Sequence, residues 1–599
     1  MTNLTFQKSE QLPLEVRVRE WLSAFEELLS AQDFPRLPEL FVDDSHWRDM
    51  GAFTWDLGNV SGLATIEKLM RASVGDVKPS NFELSKGRTA PTRVTRSGRE
   101  VVEAFISFTT TVGYGTGMVR LVDTKNGLKA WMLLTRLEGI VGAEKRRPAG
   151  AGFDRTSGQT WHDVRRERSS YIDRDPEVVV VGGGHHGLFS AVNLQELGVD
   201  VLVVDRFPRA GDNWRTRYAS LALHNATEMV HFPGLPFPDT YPQFMPKDLL
   251  ADWIETYVEA MQLNYWSSTE FVSGEYHEAS GRWQVVLRLA DGAERTMRPR
   301  HVVMATGGVG GRPFRPELPG LDSFKGDTLH TKEFGSGAAY AGQHVLVVGV
   351  GTSGHDTARE LHLRGAQVAM LQRSPVTVVG IETADLCYPP AYFDGTPLVE
   401  ADFMSMAGWA YPVLKDGLRK LGQMCLDRDR ELLDALERAG LRIREPENGY
   451  LWQVYESFSG YYINVGASEL IISGDIRVHQ AEGVKSFVED GLAFNDGTVE
   501  KFDAVILATG YMNQRYETEA LFGSEIADKV GDIGGFDEVG ELGNTYKPTA
   551  QPGLWFTSSG FASGRHLAPS MAAMIKGALD GHVPENRYGF IAANGGTHE

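Results

Sequence analysis

Cysteine is almost absent from this chain: Cys387 and Cys425 are the only two among 599 residues, and they lie far apart in sequence. They form neither a disulfide framework nor a Cys-x-x-Cys pair, which argues against thiol–disulfide exchange as the activity. Two cysteines cannot complete a Cys-rich zinc site, and the 16 histidines show no His-Glu-x-x-His spacing, so no metal is expected. No apolar run approaches the ~18–20 residues that span a bilayer. The opening MTNLTFQKSEQ lacks the apolar core of a signal peptide, so the expectation is a cytoplasmic protein without a membrane partner. Positive charge is also short, with 59 Lys+Arg against 79 Asp+Glu and a net charge of −20. Nucleic acid, which is gripped through positive patches, is not an expected partner.

The composition is that of a folded protein, 42% hydrophobic and 23% charged. At about 100–200 residues per domain, the length calls for several domains. Residues 16–33 place Val18, Trp21, Leu22, Phe25, Leu28 and Leu29 at helical spacing, and a second helix is expected near 62–74. Alternating stretches such as VVEAFISFTTTV and LKAWMLLTRLEGI read as half-buried antiparallel strands, making residues 1–142 an α+β domain. The polar stretch 143–172 reads as a linker. From Val178 onward, short all-apolar runs such as VVVVG, HVVMATG, HVLVVGVG and AVILATG alternate with helical segments, the pattern of parallel strands buried on both faces.

One unit occurs twice. The first copy carries Gly182, Gly184 and Gly187 in Gly-x-Gly-x-x-Gly spacing between a strand and a helix, followed by a second strand ending at Asp205. Glycines allow a tight turn and close approach of a pyrophosphate to a helix N-terminus, and the acid accepts ribose hydroxyls. His185 and His186 inside that loop are candidates for helping to neutralise the pyrophosphate. The second copy carries Gly349, Gly351, Ser353 and Gly354, but the position equivalent to Asp205 is Gln372, followed by Arg373. An acid there would repel a 2′-phosphate, whereas Arg373 suits one, so this copy is expected to prefer NADPH, with NADH as the weaker donor. An acid-bearing site followed by an Arg-bearing site implies FAD in the first and NADPH in the second. Each copy leads to a strand ending Ala-Thr-Gly, at Ala305–Gly307, which contains Thr306, and at Ala508–Gly510. The expected division is an FAD-binding domain split into 173–340 and 490–599 around an NADPH-binding domain at 341–489. The fold class is thus α/β, with two Rossmann-like domains preceded by an α+β domain.

Between the copies, FKGDTLHTKEF sets Phe324, Gly326, His330 and Phe334 in the spacing Phe-x-Gly-x-x-x-His-x-x-x-Phe/Tyr/Trp. Together with GDNWRTRY, which holds Gly211, Asn213 and Trp214, and LATGY at 507–511, this stretch makes residues 175–599 resemble the flavin-containing monooxygenases. The resemblance implies that NADPH reduces FAD and that O2 then forms a C4a-(hydro)peroxyflavin, which gives one oxygen atom to a small substrate. It implies flavin contacts at Asn213, Trp214 and Gly560, a hinge role for His330 at the domain junction, and stabilisation of the oxygenated flavin by Asn225.

Baeyer–Villiger members of that family carry Trp-Pro at the end of the signature and an arginine soon after the second nucleotide unit. Here Phe334 precedes Gly335, and no arginine lies between Arg373 and Arg419. The chain is closer to type II members with an N-terminal extension, which oxidise ketones as well as sulfides, and residues 16–141 resemble the NTF2/SnoaL-like fold. That likeness singles out Asp49 as a candidate pocket base and favours a homodimer. Arg565 and His566 are candidates to face substrate. Decarboxylating or N-hydroxylating chemistry, and a non-catalytic nucleotide-binding scaffold, are the competing expectations.

Overall fold

The computed structural model describes residues 12–143, 153–154, 156–307 and 311–583. The helix Leu14–Ala31 buries Val18, Trp21, Leu22, Phe25, Leu28 and Leu29, the stripe that its spacing dictates. It packs on a seven-stranded sheet ordered 57–61, 41–50, 127–140, 113–124, 99–109 and 80–84, with 92–96 also paired to 99–109. The 41–50/127–140 pair is parallel, and the rest are antiparallel. Within the stretch read as a linker, Trp161–Ser170 is instead a helix. Thr160 and Asp163 close a reciprocal capping box at its start, and its polar sequence buries no residue. Residues 144–152 and 155 lie outside the described residues.

The glycine-bearing copies build two five-stranded parallel sheets with the same internal order. In the first, Val178–Val181 lies between Val201–Val204 and His301–Met304, with Tyr265–Trp266 and Leu554–Phe556 at the edges. In the second, His344–Val348 lies between Gln367–Gln372 and Ala504–Leu507, with Asp327–His330 and Ile476–Gln480 at the edges. A three-stranded antiparallel meander precedes the Ala-Thr-Gly strand in both, at 270–297 and at 484–501. Strand pairing therefore places 327–330 and 504–507 in the second sheet, outside the expected 341–489 span. The run AVIL at 504–507 is buried on both faces and needs a parallel partner on each side, which 344–348 and 327–330 provide.

This arrangement explains the signature stretch. Phe324 joins Leu346, Val348, Leu371, Phe487 and Leu507 on one face of the second sheet. Phe334 joins Val345, Val347, Leu361 and Ile506 on the other. A Cβ on Gly326 would stand 2.2 Å from the Asp503 carbonyl oxygen, so only glycine lets the strand pass. His330, fully buried, faces the Gly510 carbonyl oxygen through Nε2 at 3.0 Å and accepts from the Lys332 amide at Nδ1.

A helical insertion follows the second cradle, including Leu398–Ala407 and Tyr411–Arg428. The N-terminal sheet grips it: Thr89 donates to Glu400 through both its amide and its hydroxyl, and Arg120 donates to the Met404 carbonyl oxygen. Arg48 makes a buried two-pronged bond to Glu541, which also accepts from Asn59. Among the described residues, no helix is long and apolar enough to cross a membrane, and no group of His, Cys, Asp and Glu could hold a metal ion.

Candidate active site

Both glycine turns open onto one cavity of about 2060 Å³. That is roughly twice the upper end of ordinary ligand pockets and leaves room for two dinucleotides and a small substrate. In each turn the first glycine has a positive φ, +106° at Gly182 and +116° at Gly349. A Cβ there would sit 2.5 Å from the Ala305 carbonyl oxygen and 2.4 Å from that of Ala508, respectively. The third glycines, Gly187 and Gly354, pack their Cα against the carbonyl oxygens of Gly182 and Gly349, where a Cβ would stand at 2.0 and 2.3 Å. The middle glycines, Gly184 and Gly351, cap the N-termini of the helices His185–Glu196 and Thr352–Leu363 and face the cavity. Two helix N-termini with their unpaired N–H groups thus point into the same space, the arrangement that receives phosphate.

The cavity wall carries charge of both signs: seven carboxylates, Asp205 and Asp356 among them, and six cations. Arg206, Arg217, Arg312, Lys332, Arg373 and Arg444 line it, and none of the six makes an ion pair among the described residues. Burial, with Arg206 and Arg217 nearby, lowers the Lys332 ammonium to about 8. Several buried polar atoms on the wall also lack partners: Trp214 Nε1, His185 Nε2, Asp356 Oδ1, Gln514 Oε1 and His566 Nδ1. Buried polar groups are ordinarily satisfied, so these atoms mark a ligand's place. Glycine cradles, unpaired cations and orphaned polar atoms together fit two anionic dinucleotides.

At the far end of the first cradle, Asp205 Oδ2 accepts from the Gly183 amide and Oδ1 from that of Phe207, while burial raises its carboxyl. Its counterpart Gln372 does not reach the cavity. Its amide is used up on the Arg442 backbone, the Ser374 carbonyl oxygen and Gln480, leaving Arg373, exposed and unpaired, as the residue that faces a ligand. Arg444, from the helical insertion, lines the same cavity and was not anticipated.

Asn213, Trp214, Thr306, Ser353 and Gly560 all line the cavity. Thr306 donates its hydroxyl to Glu517. Gly560 caps the long helix Phe561–Leu579 and has ordinary φ and open space where a Cβ would go. Asn225 also lines the cavity, with Nδ2 donating to the Tyr388 hydroxyl at 2.7 Å. Burial pushes the Tyr388 phenol up, so it stays protonated.

His330 lies off the cavity with both ring nitrogens engaged by backbone and its protonation lowered by burial, and it ties 327–330 to the Gly510 crossover. Three expected roles change. His185 and His186 are held neutral by burial, the latter at about 4, and cannot offset phosphate charge. His186 instead braces Ser559 and Tyr546, while His185 stacks on Phe561 at 3.8 Å. Arg565 is buried in a two-pronged bond with Asp402, away from the cavity, whereas His566 does line it. Asp49 is fully buried and accepts from Thr135, Thr54 and two backbone amides, which makes it a brace for the turn after Met50 rather than a base.

A fold with two such cradles on one cavity defines a two-dinucleotide oxidoreductase. The profile of the flavin-binding monooxygenase-like family matches residues 175–398. The indole-3-pyruvate monooxygenase YUCCA1 of Oryza sativa subsp. japonica is 33% identical over 342 residues, covering 56% of this chain and 77% of the relative. Arabidopsis thaliana YUCCA4, a probable indole-3-pyruvate monooxygenase, is 31% identical over 338 residues, covering 56% and 75%. The chain belongs to the flavin-binding monooxygenase-like family. The crystal structure of OTEMO in complex with FAD and NADP shares the fold, at TM-score 0.51 and 16% identity, over 68% of this chain and 86% of that one.

Proposed function

We propose that the chain holds FAD in the cradle of Gly182, Gly184 and Gly187 and NADPH in that of Gly349, Gly351 and Gly354. It then uses O2 to transfer one oxygen atom to a small organic substrate, a ketone or a sulfide or amine heteroatom. The observation that carries this reading is the pairing of an acid-ended and an arginine-ended cradle on one cavity lined by six unpaired cations. FAD bound there and reduced by NADPH supplies the chemistry that activates O2. The protein's own residues position and exclude. Arg373 and Arg444 attract the 2′-phosphate that distinguishes NADPH. Asn225 spends one amide N–H on Tyr388 and keeps the other for an oxygen atom in the cavity, offering a hydrogen bond without an acidic proton. The apolar wall that includes Met404 and Trp409 would help to keep water from the reacting atoms.

A second reading draws on the relatives' names: a 2-oxo acid such as indole-3-pyruvate, oxidised with loss of its carboxylate, would find a counter-charge among the free arginines. NADPH-driven O2 uptake with panels of ketones, thioethers and 2-oxo acids separates the readings by product. Lactone or sulfoxide supports the first and a decarboxylated acid the second, while no flavin reduction by NADPH sinks both. Asn225→Ala should raise the share of O2 released as hydrogen peroxide several-fold; unchanged coupling would remove Asn225 from the chemistry.

A further inference from the structure

The two cysteines that are remote in sequence meet in space. Cys387 follows the short helix Ile381–Asp385, and Cys425 lies near the end of Tyr411–Arg428; their sulfurs are 3.2 Å apart. Both are buried in a small apolar cluster with Val379, Ala384, Tyr450 and Ile463. They are not equivalent. Cys387 lines the main cavity, whereas Cys425 is buried and does not line it. The next residue, Tyr388, is the one that holds Asn225.

We propose that Cys387 and Cys425 are a peroxide-responsive dithiol that closes to a disulfide when hydrogen peroxide is present in the cavity, and that closure lowers turnover by displacing Tyr388. A thiol facing the cavity with a second thiol in contact behind it is the arrangement of an attacking and a resolving cysteine. Cys387, the sulfur on the cavity wall, is placed to meet peroxide first, and Cys425, in contact with it and off the cavity, is placed to resolve, which assigns the roles in that order. The Cys387 thiolate attacks one peroxide oxygen, the O–O bond breaks, sulfur is oxidised by two electrons to sulfenic acid, and hydroxide leaves with the thiol proton as water. Cys425 then attacks that sulfur, the S–O bond breaks, and the second water leaves with the Cys425 proton. In all, two thiols and one hydrogen peroxide give one disulfide and two waters. Bond formation draws the sulfurs together by about an ångström, which pulls the 387–388 segment toward Tyr411–Arg428 and away from Asn225. Peroxide arising inside the cavity rests on the proposed function, but the chemistry of the pair does not.

The test exposes the FAD-loaded full chain to hydrogen peroxide, counts thiols after denaturation and maps peptides by mass. The expected result is a fall from two thiols to none, with the Cys387 and Cys425 peptides joined and two hydrogen atoms lighter, reversed by dithiothreitol. In Cys425→Ala, Cys387 should instead stop at sulfenic or sulfinic acid. Two persistent thiols, separate sulfinic acids in the unsubstituted chain, or cross-links only between chains would each overturn the pair. NADPH-driven O2 uptake should fall several-fold on cross-linking and recover on reduction, while Cys425→Ala keeps its uptake under the same peroxide. Uptake unchanged by the cross-link would overturn the switch, and the mass measurement stands whether or not a substrate is turned over.

Discussion

The two cradles are built on the same backbone and differ in what they offer a ligand. In each, the first glycine turns against the carbonyl oxygen of an Ala-Thr-Gly strand and the third packs on the first, while a buried histidine sits near the helix start, second in one helix and fourth in the other. His186 braces Ser559 and Tyr546, and His355 stacks on Tyr462 at 4.1 Å and faces the Gly351 carbonyl oxygen. The difference is concentrated at the end of the second strand, where Asp205 binds backbone in the first cradle, while in the second Gln372 turns inward and Arg373 stays free. Fold and ligand choice are therefore separable. Glycines that cannot be replaced make the shape, and one or two side chains choose the dinucleotide.

The largest effect should come from breaking one cradle and sparing the other. Gly182→Ala and Gly349→Ala each force a Cβ onto a backbone oxygen, and the backbone strain alone is about 1–3 kcal/mol, roughly a 5- to 150-fold loss of affinity. Gly182→Ala should purify without bound flavin, whereas Gly349→Ala should retain FAD but lose its reduction by NADPH. Equal loss of FAD in both would mean that the cradles are not independent. Next in size, Arg373→Ala removes a charged hydrogen bond of about 1.5–3 kcal/mol, so kcat/KM with NADPH should fall about ten- to a hundred-fold. Efficiency with NADH should stay within twofold or so; a matching fall with both donors would remove the 2′-phosphate contact.

The smallest effect concerns the buried histidines near the start of the two helices, which occupy different positions. Burial holds His186 and His355 at about 4, below the 6.5 of an exposed imidazole. The folded state thus binds fewer protons than the unfolded one. Their stabilising contribution is full above pH 6.5 and is lost as pH falls toward 4, at about 1.4 kcal/mol per pH unit for each. His186→Gln and His355→Gln should each narrow the loss of denaturation free energy between pH 7 and pH 5 by about 2 kcal/mol. An unchanged gap would show that the imidazoles titrate normally.

What was legible in the sequence is what short-range spacing encodes. The glycines, Asp205, Arg373 and the Phe324-to-Phe334 signature each sit within one strand–turn–helix, where a fixed offset carries the geometry. Arg444, Tyr388 and the Cys387–Cys425 contact arise from a helical insertion whose packing no offset specifies. The histidines at 185 and 186 were visible but misjudged, because an imidazole's charge depends on burial rather than on neighbours in sequence. Arg565 was misplaced for a similar reason, since its partner Asp402 lies in a different helix.

The grip of the N-terminal sheet on Glu541 has a consequence for modularity. The Glu541 carboxylate is fully buried, and its counter-charge and one further donor, Arg48 and Asn59, come from the other end of the chain. A chain shortened to its nucleotide-binding portion would keep that carboxylate, lose both partners and open its site to water. The extension and the oxidoreductase body are thus interlocked parts of one inheritable unit, and grafting either onto a foreign protein means carrying the other with it.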